Sequence, residues 1–168
     1  AAEPLGERKH ITALFADIAG STKLLAGLDP EDARELLNAV MTGLSAEVNR
    51  LGGTVAKIMG DGLFAIFGAP LAQENHAYRA CLAASEMHRV TAEGEARFAK
   101  VVRLRIGLHS GNAIIDQTGE GPDARFDAIG EAVNIAANLE ASAPVGHTLL
   151  SDVTRQLAGP AVGTESYT

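Results

Sequence analysis

The order of strand-like and helix-like segments along the chain limits the possible folds more than any other feature of the sequence. An almost continuously apolar segment at 10–16 is typical of a strand buried on both faces. Two helix signals follow, then two short apolar strands, a helix from about 73 through the 80s, the strand "VRLRIGLHSGNAIID", a helix at 131–141 and the short strand "HTLLSD". The first seven of these elements have the order β-α-α-β-β-α-β, which predicts an α+β fold with a ferredoxin-like core, a mostly antiparallel sheet and helices packed on one face.

The first two helices have recognisable start signals. Asp29 is a candidate N-cap and Pro30 suits the first helical position, and apolar residues then recur at helical spacing until "LGG" ends the helix. Ser21 or Thr22 could cap a shorter helix directly after the first strand. Amides at the start of that helix would point toward the strand end and suit a phosphate. The amides concerned are those of Ile18, Ala19, Gly20, Ser21 and Thr22.

Two charged residues lie in "VAKIMGDGLFAIFG", a segment that otherwise predicts two apolar strands at 54–59 and 63–67. Asp61-Gly62 between the strands is a typical hairpin turn, because both turn positions favour φ > 0. Asp61 could therefore be only a turn residue, and Lys57 could extend from a half-buried strand to solvent. A partner elsewhere in the chain would give these residues a second role.

The predicted topology provides such a partner. The first strand of a ferredoxin-like sheet lies in the centre, beside the hairpin, so Asp17 at its end would lie close to Asp61. Mg²⁺ prefers oxygen ligands and usually takes one or two carboxylates together with water and substrate phosphate. Two metals held in this way can bind the attacking and the leaving oxygen of a phosphoryl transfer. The sequence therefore predicts metal ligands at Asp17 and Asp61.

Composition restricts the class of protein. A chain of 168 residues fits one domain with a substantial core. Its net charge of −7, its aromatic content of 4% and its lack of Trp argue against a nucleic-acid partner. Cys81 is the only cysteine, which excludes an internal disulfide and fits a reducing compartment. The chain shows no charged-then-apolar leader and no apolar run of ~20 residues, so we expect a cytoplasmic domain without membrane contact.

The C-terminal third carries further polar residues. Asn134 and Asn138 in "GEAVNIAANLE" are four residues apart and share one helical face, although two amides on an exposed face could simply be solvated. Asp127 lies at a strand end in "RFDAIG". The segment at about 116–126 is rich in Gly, Pro and charge and predicts either a plain surface loop or a projecting hairpin. The five histidines show no metal-ligand spacing, which indicates packing or surface roles.

Three motifs, "LFADIAGST", "KIMGDG" and "FDAIGEAVNIAANLE", occur in this order and spacing and make the chain resemble the catalytic domain of class III adenylyl and guanylyl cyclases. The resemblance covers about 7–152. It implies a single palm-like domain that converts ATP to 3′,5′-cyclic AMP and pyrophosphate with two divalent cations, Mg²⁺ or Mn²⁺. It also implies a homodimer with composite active sites at its interface, in which segment 116–126 is an arm that reaches across the partner.

The resemblance also implies roles for individual residues. Asp17 and Asp61 match the metal ligands of the family, to which the backbone carbonyl of Ile18 contributes. Lys57 and Asp127 match the pair that selects the purine. Adenine offers an acceptor at N1 and a donor at N6, which a lysine and a carboxylate complement, whereas guanine offers a donor at N1 and an acceptor at O6. ATP is therefore the expected substrate.

Two departures from the family pattern affect the expected activity. Asn134 matches the asparagine that orients the ribose, but Asn138 stands where the family has an arginine that stabilises charge on the α-phosphate in the transition state. A neutral amide cannot fully replace a guanidinium, so we expect a slow enzyme unless Arg125 substitutes. Many members also have a late-strand lysine on the terminal phosphates, and no lysine follows Ser151 here.

Two alternatives to an active cyclase stay open at this point. One is a degenerate cyclase that binds nucleotide, or acts as a dimerisation and regulatory module, without turnover. The other is a different palm-like nucleotidyl transferase, such as a diguanylate cyclase or a polymerase fragment. The absence of a "GGDEF" sequence and the acidic charge argue against the second alternative.

Overall fold

The computed structural model describes residues 6–93 and 101–167. Within these ranges six strands are present: β1 (Glu7–Ile18), β2 (Thr54–Ile58), β3 (Gly62–Phe67), β4 (Leu104–Thr118), β5 (Arg125–Ile129) and β6 (Thr148–Leu150). The same ranges contain five α-helices: α1 (Ser21–Leu25), α2 (Pro30–Arg50), α3 (His76–Glu93), α4 (Glu131–Ser142) and α5 (Asp152–Ala158). The predicted elements occur in the predicted order, with β5 and α5 in addition.

The strands form one sheet in which antiparallel pairs dominate. Its order is β2-β3-β1-β4-β5, so β1 lies in the centre next to the β2-β3 hairpin. The long strand β4 pairs in parallel with β6 near its start and antiparallel with β5 near its end. The predicted α+β fold with a ferredoxin-like core is confirmed.

Both faces of β1 are buried, which explains its almost continuous apolar sequence. Leu14, Ala16 and Ile18 belong to the larger core, which α2 and α3 complete with residues such as Leu44 and Met87. Ile11, Ala13 and Phe15 alternate to the opposite face and contribute to a second apolar cluster that includes α4. The helices α2 and α3 therefore cover one face of the sheet, whereas the predicted helix at 131–141, α4, packs on the other face and not on the same one.

Close packing of α4 against β4 depends on glycine. Gly111 lies beneath the side chain of Ala132, and Gly107 lies directly beneath the helix backbone at Ala136 and Glu140. A residue with a side chain at either position of β4 would hold the helix away from the sheet. The small residues on both elements therefore fix the position of α4.

We predict that Gly107→Ala destabilises the domain, because the added Cβ would lie 2.2 Å from the backbone nitrogen of Glu140 and 2.4 Å from the backbone oxygen of Ala136. Backbone atoms cannot rotate away, so α4 would have to shift, at about 3 kcal/mol of unfolding free energy. Urea unfolding measures the loss. Gly43→Ala in α2 is the control: its Cβ would meet no atom within 4 Å outside the helix backbone, and alanine favours helix by up to about 1 kcal/mol. Equal stability of Gly107→Ala and wild type would contradict this packing.

Three local predictions need correction or refinement. The predicted helix from 73 begins at His76. Segment 116–126 is not a plain loop, because β4 and β5 form a hairpin whose last pair is Thr118 with Arg125, closed by a short 3-10 turn at Gly121–Asp123. The short strand predicted at "HTLLSD" is β6 and ends at Leu150, and α5 follows it directly with Ser151 as its N-cap, which accepts a hydrogen bond from the amide of Thr154.

Candidate active site

The two predicted metal ligands lie side by side where β1 meets the β2-β3 hairpin. Asp17 pairs with Gly62 in the β1-β3 register, and the amide of Ile18 donates to the carbonyl oxygen of Asp61 at 2.9 Å. The Ser21 hydroxyl donates to Oδ2 of Asp61 at 2.5 Å. The strand pairing and the start of α1 therefore hold the two carboxylates together, as the topology predicted.

The turn that presents Asp61 differs by one residue from the predicted one. Met59 and Gly62 exchange backbone hydrogen bonds of 2.8 and 3.3 Å, so Gly60-Asp61 is the two-residue loop and Gly62 already begins β3. Gly60 has φ +64°, the conformation that such a loop requires at its first position and that glycine adopts without strain. Gly62 has a different reason to be glycine, since a Cβ there would lie 3.2 Å from the carbonyl oxygen of Ala16.

The electrostatics of Asp17 fit a bound cation. Burial, and then the negative charge of Asp61, raise the pKa of Asp17 above its ordinary value. Oδ1 of Asp17 is buried and has no hydrogen-bond partner among the described residues. A buried carboxylate oxygen without a partner is unfavourable unless a cation or a donor satisfies it. The residues present therefore fit the divalent metals that the sequence predicted.

The protein supplies only part of a metal coordination shell. Among residues 6–93 and 101–167, no group of three or more His, Cys, Asp or Glu side chains is arranged to hold a metal ion. Mg²⁺ is commonly bound by one or two carboxylates and completed by waters and substrate phosphates. Asp17 and Asp61 match that type of site, in which the substrate contributes ligands.

Two charged residues of the site were not predicted from the sequence. Arg105 on β4 pairs with Asp17 in the β1-β4 register, and its positive charge lowers the pKa of Asp17. Glu140 on α4 contacts Asp17; burial first, and then the charge of Asp17, raise the pKa of Glu140 to about 7. An arginine within the apolar start of β4, "LRIGL", is the signal that could have identified Arg105. The proximity of Glu140 to Asp17 could not be predicted without knowing how α4 packs on Gly107.

The set of backbone amides predicted to bind phosphate, which we call the amide cradle, is smaller than expected. The amide of Ile18 donates to Asp61 and the amide of Ala19 donates to the carbonyl oxygen of Arg103 at 2.8 Å, so neither is available for an anion. Ser21 does not cap α1: the N-cap is Gly20, with φ +62°, and it makes no side-chain cap. The amides at the start of a helix lack carbonyl partners inside it. The cradle is therefore reduced to Gly20, Ser21 and Thr22.

Lys57 and Asp127 form an ion pair, with 3.6 Å between Nζ and Oδ2. Although β2 and β5 are at opposite ends of the sheet order, they contact each other, and this brings the two residues together. A β-bulge between Val55 and Lys57 redirects the end of β2, and Asp127 is oriented by the amide of Ala128 at 2.9 Å from its Oδ1. The side chains remain 58% and 42% exposed, so a ligand can reach both.

The asparagines of α4 lie on its outer side. Asn134 and Asn138 are exposed, whereas Ala132 and Ala136 are buried against the sheet. Asn138 therefore faces solvent in the single chain, and a partner or substrate can reach it. Arg125 is exposed at the start of β5, two residues before Asp127, and its role as a substitute for the family arginine stays a prediction.

The site and the fold can be compared with those of known proteins. The family profile of the adenylate and guanylate cyclase catalytic domain matches residues 4–166. The chain belongs to this family. It is a class III nucleotide cyclase domain, and the other palm-like transferases considered from the sequence are excluded. Cyclase domains of this family bind nucleotide and generally use divalent metal ions, in agreement with the carboxylate pair.

Relatives and solved structures include both adenylyl and guanylyl cyclases. Adenylate cyclase 1 of Rhizobium meliloti is 33% identical over 137 residues, which cover 79% of this chain and 21% of that protein. The crystal structure of the guanylyl cyclase Cya2 matches with a TM-score of 0.87 and 28% identity, covering 97% of this chain and 85% of that one. The adenylyl cyclase CyaB of P. aeruginosa matches with a TM-score of 0.82 and 28% identity, covering 90% and 81%. Similarity to these proteins therefore does not decide between ATP and GTP as the substrate.

The chain spans only about a fifth of the length of the curated relatives that it matches. The structure contains no helix long and apolar enough to cross a membrane, in the part of the chain that it describes.

Proposed function

We propose that this cyclase domain converts ATP to 3′,5′-cyclic AMP and pyrophosphate. The ion pair of Lys57 and Asp127 carries the proposal, because it offers a donor and an acceptor, both accessible, for a purine edge. In the sheet register Lys57 of β2 lies opposite Phe64 of β3, and Phe64 lies opposite Phe15 of β1. Phe15 is two residues before Asp17 on the same strand. Directly paired residues lie on one face of a sheet, and so do alternate residues of a strand. The purine pair and the metal ligands therefore share a face.

The pair supports adenine over guanine through the arrangement of its hydrogen-bonding groups. An ammonium group donates only and an ionised carboxylate accepts only. Lys57 can donate to N1 of adenine while Asp127 accepts from the N6 amino group. Guanine presents a donor at N1 and an acceptor at O6, so the same two side chains would have to exchange positions. Substituting the pair should therefore change base preference more than overall stability.

The reaction joins the 3′-oxygen of the ribose to the α-phosphorus and breaks the bond from the α-phosphorus to the oxygen bridging to the β-phosphate. The 3′-hydroxyl loses its proton and pyrophosphate leaves. Asp17, Asp61 and the carbonyl of Ile18 would hold the two divalent cations, Mg²⁺ or Mn²⁺, which when bound lower the pKa of the attacking hydroxyl and neutralise the leaving oxygen.

Other residues would position the substrate and stabilise charge. Arg105, beside Asp17, offers a guanidinium to the departing pyrophosphate, and the amides of Gly20, Ser21 and Thr22 offer donors to the same phosphates. Asn134 would orient the ribose through its exposed amide. Arg105 thus provides one cation for the phosphates in a sequence that has no lysine after Ser151.

We also propose that the domain acts as a homodimer in the cytoplasm, where ATP is available. Asp17 and Asp61 of one chain would face Lys57, Asp127 and Asn134 of the other, and the β4-β5 hairpin, including 116–126, would reach across the partner. The exposure of Lys57 and of the outer face of α4 supports this arrangement, since a second chain can approach both.

A product assay tests the proposed reaction. The purified chain is incubated with ATP or GTP and with Mg²⁺ or Mn²⁺, and the products are resolved by chromatography. We expect cyclic AMP from ATP, and less product from GTP. A second candidate, a cyclase domain that binds nucleotide without turnover, is favoured by Asn138 at the arginine position; it would bind ATP in equilibrium dialysis and release no pyrophosphate.

We predict that the double variant Lys57→Glu and Asp127→Cys changes the ratio of ATP to GTP turnover. The introduced glutamate would accept from N1 of guanine and the introduced cysteine would donate weakly to O6, whereas both would fail to match adenine. The expected change in the ratio of kcat/KM is about 10- to 100-fold, the effect of one or two hydrogen bonds to charged groups. Lys9→Glu is the control, a charge reversal at a lysine that donates to the carbonyl of Pro70 instead. An unchanged ratio would remove Lys57 and Asp127 from the purine site.

A further inference from the structure

Seven polar side chains that the cyclase reaction does not use form a continuous hydrogen-bonded chain through the domain. It begins at His10 on β1 and ends at His109 on β4, and we call it the hydroxyl chain. Its members, in order, are His10, His76, Thr12, Ser110, Thr154, Ser151 and His109.

The contacts in the hydroxyl chain are short from end to end. His10 Nδ1 lies 3.1 Å from His76 Nε2, His76 Nδ1 lies 2.7 Å from Thr12 Oγ1, and Thr12 Oγ1 lies 2.6 Å from Ser110 Oγ. The second half continues from Ser110 Oγ to Thr154 Oγ1 at 3.0 Å and from there to Ser151 Oγ at 3.1 Å. Ser151 Oγ lies 2.6 Å from His109 Nδ1. All of these pairs lie within hydrogen-bonding reach, and only the contact between Thr154 and Ser151 is slightly longer than a normal hydrogen bond between hydroxyls.

The middle of the hydroxyl chain is isolated from water, whereas its ends are not. Thr12 and Thr154 are 0% exposed, Ser110 is 2% exposed and His76 is 6% exposed. His10 is exposed and His109 is half-buried. Protons can therefore enter at either end, but the buried members must satisfy one another.

The chemistry of the members links all of these bonds. A hydroxyl has one proton to donate, and a neutral imidazole has one donor and one acceptor nitrogen. As long as each buried hydroxyl donates to another member of the hydroxyl chain, the direction of any one bond therefore fixes the direction of the next. Either every proton points toward His109, with the proton of His76 on Nδ1, or every proton points toward His10, with the proton of His76 on Nε2.

We propose that the hydroxyl chain switches between these two directions and holds only one additional proton at a time, so that His10 and His109 exclude each other's charged forms. A charged imidazole donates from both nitrogens. Charge on His10 therefore directs the protons toward His109, and charge on His109 directs them toward His10. If both were charged, one buried hydroxyl would have to accept from both of its neighbours, and its own proton would be left without an acceptor in the hydroxyl chain, where unpaired polar groups are unfavourable.

The charged groups near His109 and near His10 show which parts of the domain the hydroxyl chain connects. Burial lowers the pKa of His109, and the charge of Glu131, the first residue of α4, opposes this effect by favouring the charged imidazole. At the other end, burial first and then the charge of His10 lower the pKa of His76, which keeps the additional proton away from the buried ring. The helix that begins at Glu131 carries Asn134 and Asn138. Proton exchange at His10 is thus coupled to the charge beside the helix of the cyclase site.

Imidazole ¹⁵N NMR of the chain over a pH titration tests the proposal without any activity measurement. Whichever of His10 and His109 takes the second proton should do so at a pH about one unit lower than it would alone, a tenfold loss of affinity for one missing buried hydrogen bond. Ser110→Ala removes the central hydroxyl but no partner of either histidine, so it should raise that lower pKa by about one unit. In wild type, the proton of His76 should be on Nε2 when His109 is charged and on Nδ1 when His10 is charged.

Two further variants make the result decisive. Thr154→Val interrupts the hydroxyl chain at a second point and serves if Ser110→Ala does not fold. Thr91→Val is the control, because Thr91 is a buried threonine that, among the described residues, bonds only the backbone carbonyls of Met87 and His88, and it should leave both pKa values unchanged. Equal pKa values in wild type and the interrupted variants, or a His76 tautomer that ignores the charge of His109, would overturn the proposal.

Discussion

An equimolar mixture of the Asp17→Ala and Lys57→Ala variants should form cyclic AMP, although each variant alone should be almost inactive. Asp17→Ala removes a metal ligand, and Lys57→Ala removes the donor to the purine. In the proposed homodimer these residues belong to opposite halves of each site. One site of each mixed dimer therefore contains two intact halves, and random association should recover about a quarter of wild-type activity. The measurement is product formation after the two proteins are mixed and allowed to exchange.

The control for this experiment is a mixture of Asp17→Ala with Asp61→Ala. Both carboxylates come from the same chain at the β1-β3 pairing, so no site in that mixed dimer has an intact pair. That mixture should stay inactive. If mixed dimers of Asp17→Ala and Lys57→Ala form and remain inactive, the composite site is wrong. If Asp61→Ala alone keeps most of its activity, Asp61 is only a turn residue.

The carboxylate pair could be predicted from the sequence because it depends on topology alone. A central first strand next to a hairpin places Asp17 near Asp61 whatever the details of packing, and the structure confirms this. The position of Asp61 within its turn could not be predicted as reliably. Both Gly60-Asp61 and Asp61-Gly62 fit a two-residue loop, and only the backbone bonds between Met59 and Gly62 distinguish them.

Residues that depend on strand register or helix placement were missed for a physical reason. Arg105 lies beside Asp17 only in the β1-β4 register that the structure shows. Glu140 reaches Asp17 only because α4 lies directly on Gly107, and an alanine-rich helix gives no strong apolar pattern from which to predict that contact. The amides of Ile18 and Ala19 were predicted to bind phosphate, and they cannot do so for a similar reason, since both already donate to backbone carbonyls of neighbouring segments.

The family resemblance and the structure give different information about the pair of Lys57 and Asp127. Two residues far apart in the sequence, on the two end strands of a sheet, give no local signal of contact. The family resemblance paired them by role, and the contact between β2 and β5 places them 3.6 Å apart. Their role with a purine remains a proposal, whereas their proximity is a property of the fold.

Replacing Asn138 with arginine should raise kcat by about 10²–10³-fold, the usual effect of one preorganised donor to a developing oxyanion. Asn138 is exposed on α4, so a longer side chain can be added without disturbing the core. Arginine also has the higher helix propensity. Because the guanidinium would act mainly on charge that develops in the transition state, KM should change little. Steady-state kinetics with ATP measure both constants.

A matched charge change separates this effect from a general increase in positive charge. Ser142→Arg places the same side chain one turn further along α4, at an exposed position, and should leave kcat near the wild-type value. Arg125→Ala in both backgrounds then tests the alternative cation. If Asn138→Arg folds, dimerises and leaves kcat unchanged, and Arg125→Ala causes a large loss only when residue 138 is Asn, then Arg125 already supplies the missing guanidinium. If neither substitution changes kcat, α4 does not present residue 138 to the α-phosphate, and the proposed site must be revised at this helix.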